Sequence, residues 1–99
     1  MKRVVAMAEA AADIEDGRGF YESLESGAGD YFVDSILTDI ESLGFFHGVH
    51  PLHYGFHRML SARFPYGIYY RDQQIETQVF AVLDLRRRPD WIRAELGGR

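Results

Sequence analysis

The chain has 99 residues, enough for one domain with one core, and its 46% apolar and 14% aromatic content is that of a folded protein. It has no cysteine, which excludes disulfides, thiolate catalysis and cysteine–zinc centres. The formal net charge of −4 makes the whole chain a poor generic ligand for nucleic acid, but residues 1–50 carry −7 and residues 51–99 carry +3, with all eight basic residues of the second half being arginine.

Met1-Lys2-Arg3-Val4-Val5-Ala6-Met7 is basic and then apolar, and acids follow at Glu9 and Asp13. The apolar part is too short for a signal peptide and reads as a first buried strand. No stretch approaches the roughly 20 apolar residues that span a bilayer, so a cytoplasmic protein with no membrane partner is expected. Over residues 8–25, Ile14, Tyr21 and Leu24 recur at helical spacing with Gly17 between them, and Asp13, Glu15, Asp16, Glu22 and Glu25 fill the other positions. Gly17 and Gly19 weaken such a helix. Ser26-Gly27-Ala28-Gly29-Asp30 is a stop and restart, with Asp30 the expected N-cap of the next helix. That second helix carries Phe32, Val33, Ile36, Leu37, Ile40 and Leu43 as a broad apolar stripe opposite Asp34, Asp39 and Glu41. Two such helices joined by a glycine turn form an antiparallel hairpin that needs a sheet to cover.

Residues 45–51 read as a loop, and after it the period changes to two. Tyr54, Phe56, Arg58 and Leu60 alternate with Gly55, His57, Met59 and Ser61; Phe64, Tyr66, Ile68 and Tyr70 follow in the same manner. Arg71-Asp72-Gln73-Gln74 is turn-like. The run 75–85 is β-rich, with Thr77, Val79, Ala81 and Leu83 expected on one face and Phe80 and Val82 on the other, as in a central strand. Pro89 opens a short last helix over 90–96, and Gly97-Gly98-Arg99 is expected to fray. The order is strand, helix, helix, strand, strand, strand, short helix, an α+β layout with an antiparallel sheet and a helical hairpin on one face, spanning residues 1–99 as a single domain.

Three stretches give this order a family likeness. Arg63-Phe64-Pro65-Tyr66-Gly67-Ile68-Tyr69-Tyr70-Arg71 resembles the strand R-F-P-Y-x-I-Y-Y-R of the RelE/ParE toxin superfamily. Val79-Phe80-Ala81-Val82-Leu83-Asp84, with Leu85-Arg86-Arg87-Arg88-Pro89-Asp90-Trp91, resembles that family's next strand and basic tail. The acidic first helix with Phe20-Tyr21, the glycine turn and Phe32 complete the likeness, which covers almost the whole chain. The resemblance implies the toxin of a type II toxin–antitoxin pair, in a hetero-oligomer with a cognate antitoxin. That antitoxin would pack a helix or strand on the hairpin, with Tyr21, Leu24, Phe32 and Ile36 as its receiving surface.

The family has two modes of action. RelE-like members cut messenger RNA on the ribosome, whereas ParE-like members bind and block DNA gyrase. For a nuclease, the candidate catalytic side chains are His57, Arg58, Arg63, Arg71 and Arg86, with Arg87 and Arg88 beside them. Arginine stabilises phosphoryl charge but is a poor base, Lys2 is the only lysine, and no tyrosine follows Tyr70. These absences favour the ParE-like, non-enzymatic branch, with Arg86, Arg87, Arg88 and Trp91 as the target-binding group. A third reading is a degenerate member that binds an antitoxin without being toxic. His47, His50, His53 and His57 fall within eleven residues, but Gly48, Pro51 and Gly55 interrupt any helix and no acid lies between residues 42 and 71. A metal site there is disfavoured, and no cofactor is implied.

Overall fold

The computed structural model describes all 99 residues, Met1–Arg99. In chain order the elements are β1 (Arg3–Ala6), α1 (Ala8–Leu24), α2 (Ala28–Phe46), β2 (Leu52–His53), β3 (Phe56–Leu60), β4 (Tyr66–Asp72), β5 (Glu76–Asp84) and α3 (Pro89–Gly97). They build one five-stranded sheet in the order β1-β5-β4-β3-β2. The meander β3-β4-β5 is antiparallel, as the alternating sequence predicts. The first strand is not: β1 runs parallel to β5, with Val4 opposite Thr77, because the chain crosses over through the hairpin before it returns. The sheet is therefore mixed. β2 is a further short edge strand, joined to β3 through Tyr54 and Gly55, which both take positive φ.

α1 and α2 lie on one face. Ala10, Ile14, Phe32, Ile36, Ile40 and Leu43 pack there against Met59, Ile68, Tyr70, Val79 and Val82. A smaller cluster on the opposite face seats Ile92 and Leu96 of α3 on Phe56, Tyr69, Ala81 and Leu83. The expected assignment of β5 side chains to faces fails at one point. A bulge takes the register from Tyr69↔Ala81 directly to Tyr70↔Val79 and leaves Phe80 over. The extra residue inverts the alternation beyond it. Val79 and Val82 thus share the hairpin side, while Ala81 and Leu83 face α3.

Gly17 makes room for α2, since a Cβ there would collide with the Phe32 ring. The restart into α2 also differs from expectation. α2 begins at Ala28 with Gly27 at φ 89°, and Asp30 already lies in its first turn. The N-terminal N–H groups are met from the neighbouring helix: the Glu22 carboxylate accepts from Gly27 at 3.1 Å and Gly29 at 3.0 Å. Those two bonds hold the Glu22 carboxyl below its usual range.

The last residues do not fray. The Arg99 side chain is only 7% exposed and pairs with Asp13, itself 12% exposed, and with Glu95 at 3.2 Å. Asp13 also accepts the Val82 N–H at 3.0 Å. Val82 lies beyond the end of β1, so no strand partner reaches it on that side, and a carboxylate of α1 completes the sheet edge instead.

Candidate functional site

The residues expected to bind a target sit where β5 ends and α3 begins. Arg86 folds back on Asp84, donating from its backbone N–H (2.9 Å), Nε (3.0 Å) and Nη2 (2.8 Å), and Nη2 also reaches the Tyr21 hydroxyl at 3.3 Å. This pairing lowers the Asp84 carboxyl and raises Arg86 further above its ordinary value. Arg86 thus braces the turn. Arg87 lies over the Trp91 ring, 3.9 Å from its centroid. Arg88 is exposed and meets only the equally exposed Asp90, at 3.3 Å. Pro89 stands in the first turn of α3, the helix that carries Trp91, where its missing N–H costs nothing. Beside Trp91 is a cleft of about 360 Å³ walled by Phe20, Tyr66, Asp13 and Asp16. Burial pushes the Tyr66 phenol up to about 12.

The nuclease candidates do not assemble. His57 stacks on Tyr70 on the hairpin side, ring centroids 5.1 Å apart. Arg58 and Arg71 are on the other side, Arg58 beside Tyr69 and Arg71 with its guanidinium 4.3 Å from the Phe56 centroid. Arg63 is exposed in the turn between β3 and β4, and Arg86 is held at the far end of β5.

The four histidines diverge as well. His47 Nδ1 is 3.0 Å from Asp72, and His50 Nδ1 is 2.5 Å from the Tyr70 hydroxyl. His57 Nδ1 donates to the His50 carbonyl at 2.6 Å, and His53 stands apart. No group of three His, Cys, Asp or Glu side chains is placed to hold a metal ion. The histidines instead pin residues 47–50 to the sheet: the Tyr70 hydroxyl accepts the Gly48 N–H at 3.0 Å and can donate to His50. Burial, then the nearby His57, hold His50 below its usual range. Asp72 gathers Lys2, His47 and Thr77. Burial alone would raise its carboxyl, but those hydrogen bonds outweigh it and set it at about 2.

The receiving surface on the hairpin needs correction. Phe32 and Ile36 are completely buried beneath α1 and against the sheet, so neither can meet a partner. Their stripe was broad enough to hide which part faces inward. Tyr21 is half-buried against Phe32 and Phe64, and Leu24 is 67% exposed. The exposed apolar side chains near them are Phe20 and Tyr31, which periodicity did not single out. Phe20 and Leu24 lie one turn apart on α1, a spacing that carried the signal. Arg93 was also missed; it reaches over Tyr54, 5.4 Å from the ring centroid, and no sequence pattern links the two.

No family model matches this sequence, and no curated protein matches it. Among solved structures, it is similar to a chain described as "Chromosomal ParDE TA system from P. aeruginosa", at 20% identity and a TM-score of 0.76, over 86% of this chain and 97% of that one. The likeness establishes the fold. The α+β arrangement expected from the RelE/ParE resemblance is the arrangement found. No helix is long and apolar enough to cross a membrane.

Proposed function

We propose that this chain is the toxin of a type II toxin–antitoxin system and acts in the cytoplasm by binding, as ParE-like toxins do on DNA gyrase. The fold shared with a chain of a ParDE system supports the toxin reading. The observation that favours binding over cleavage is the separation of His57 from Arg58 and Arg71 by the thickness of the sheet. A ribonuclease of the RelE kind needs a base and a cation on the same phosphate. Arg87, Arg88 and Trp91 form the target-binding group: an indole and two arginines at an exposed corner have the composition of an interaction hot spot. Arg86 holds that corner in shape.

A cognate antitoxin neutralises the toxin by covering the apolar strip of the hairpin, Phe20, Tyr21, Leu24 and Tyr31, with an amphipathic segment that orders on binding. The test is the purified protein in two assays. Inhibited supercoiling by gyrase supports the proposal, message cut on the ribosome supports the nuclease alternative, and neither, with harmless induction in cells, indicates a member that has lost toxicity.

A further inference from the structure

Most basic side chains of this protein have a carboxylate within reach: Lys2 with Asp72, Arg3 with Glu76, Arg18 with Glu15, Arg86 with Asp84, Arg88 with Asp90, and Arg99 with Asp13. Arg58, Arg63, Arg71, Arg87 and Arg93 have none within salt-bridge distance; Arg63 lies in the turn between β3 and β4 and Arg87 lies on Trp91, while Arg58, Arg71 and Arg93 stand on the α3 side of the sheet. Arg58 and Arg71 lie diagonally across the β3–β4 pair, where Arg58 faces Tyr69, two residues before Arg71. Such diagonal neighbours are roughly 7–8 Å apart at Cα. Arg93 comes down from α3 onto Tyr54. Three of the five arginines without a carboxylate partner therefore share one face, although the protein as a whole is acidic.

The Arg71 guanidinium is also already oriented. It lies over the neighbouring Phe56 and Phe80 rings, 4.3 and 5.3 Å from their centroids, which are themselves 5.5 Å apart. Arg58 packs its stem against Gly67, with a buried Nε that has no hydrogen-bond partner. Stacking fixes the plane of the group and leaves its N–H edges free, which lowers the ordering cost of pairing with a planar carboxylate. The rings beneath Arg71 are covered by its guanidinium, so they offer no open platform for a nucleobase.

We propose that this face docks a carboxylate-rich, extended segment of a partner protein, with Arg58, Arg71 and Arg93 pairing its acidic side chains. The adjoining β2 has an open outer edge along which an extended chain can run, with Leu52 and Tyr54 exposed beside it. The surface is separate from the hairpin strip and from the Arg87–Trp91 corner, so the proposal stands whether or not the protein is a toxin.

The test is fluorescence anisotropy with three labelled probes: a ten-residue peptide of alternating glutamate and valine, its glutamine counterpart, and a ten-nucleotide single-stranded oligonucleotide in DNA and RNA forms. The glutamate peptide should bind the full chain, lose affinity as salt is raised, and bind at least about tenfold more tightly than the glutamine peptide. Arg93→Gln, an exposed helix position that leaves the core intact, should weaken it several-fold. Arg58→Gln with Arg71→Gln should weaken it about tenfold or more, whereas Arg18→Gln on α1 should change little. An oligonucleotide that binds more tightly than the peptide and competes with it would overturn the proposal in favour of nucleic acid. Absence of peptide binding, or binding unaffected by Arg93→Gln, would overturn it outright.

Discussion

His57 and Arg58 are consecutive in β3 and serve opposite faces of the sheet: His57 stacks on Tyr70 beneath the hairpin, and Arg58 lies beside Tyr69 and Gly67 toward α3. Strand geometry enforces this, since adjacent side chains alternate. A base and its nearest cations are thereby kept apart. Replacing His57 with alanine should leave growth inhibition on induction intact once protein levels are matched. A drop of tenfold or more in potency at equal level would return His57 to a catalytic role.

Asp13 holds both the Arg99 guanidinium and the Val82 N–H. Asp13→Ala leaves the buried Arg99 guanidinium to Glu95 and Glu9 and strands the Val82 sheet-edge donor, and should cost about 1–3 kcal/mol. Arg99→Met keeps the bulk and leaves Asp13 bonded to Val82, so it should cost less. Urea denaturation of the two variants checks the order; an equal or reversed order would show that Asp13 acts only through Arg99.

Two glycines of α1 look alike in sequence and differ in the structure. A Cβ at Gly17 would strike the Phe32 ring, while at Gly19 nothing lies within 4 Å. Gly17→Ala should destabilise by about 1–3 kcal/mol through overpacking. Gly19→Ala should stabilise by up to about 1 kcal/mol through helix propensity. Melting temperatures of the pair should move in opposite directions.

Acid should weaken the protein in two steps. His50 titrates below its usual 6.5 in the folded state, so the unfolded chain takes up the proton first and stability falls as pH drops below about 6.5. Protonated His50 can no longer accept the Tyr70 hydroxyl, and the segment 47–50 should loosen in that range, read as faster amide exchange at Gly48. Asp72 titrates at about 2 instead of 3.8, so its contribution is complete above the higher value and is lost as pH falls toward the lower one. That step is worth roughly 2 kcal/mol. His50→Asn should remove the first step and spare the second; a first step that survives it would place the proton elsewhere.

Most of the fold was legible in the sequence because periodicity reports it directly: α1, α2, β3 and β4 fell where the helical stripes and the alternation put them, although α2 runs on to Phe46 and β4 to Asp72, and Leu24 and Leu37 of the stripes are exposed. What escaped depends on contacts remote in sequence. The parallel pairing of β1 is set by the crossover, and the facing of Phe80 by a bulge. The helix cap comes from Glu22 on another helix, and the order at Arg99 from Asp13, 86 residues away. The candidate site was legible only as composition. That Arg86 braces while Arg87 stacks, and that Phe32 and Ile36 are buried, depends on which neighbour each side chain meets.

The central claim, action by binding to gyrase through the Arg87–Trp91 corner, is tested most directly by a supercoiling assay. The assay uses purified gyrase, relaxed plasmid and either the protein or its Arg87→Ala, Arg88→Ala double variant. Both substitutions are at exposed positions and should leave thermal stability within about 0.5 kcal/mol of the parent. The account predicts that the parent protein inhibits supercoiling and that the double variant inhibits at least about tenfold less well. Unimpaired supercoiling at saturating protein, together with message cleaved on the ribosome, would contradict it.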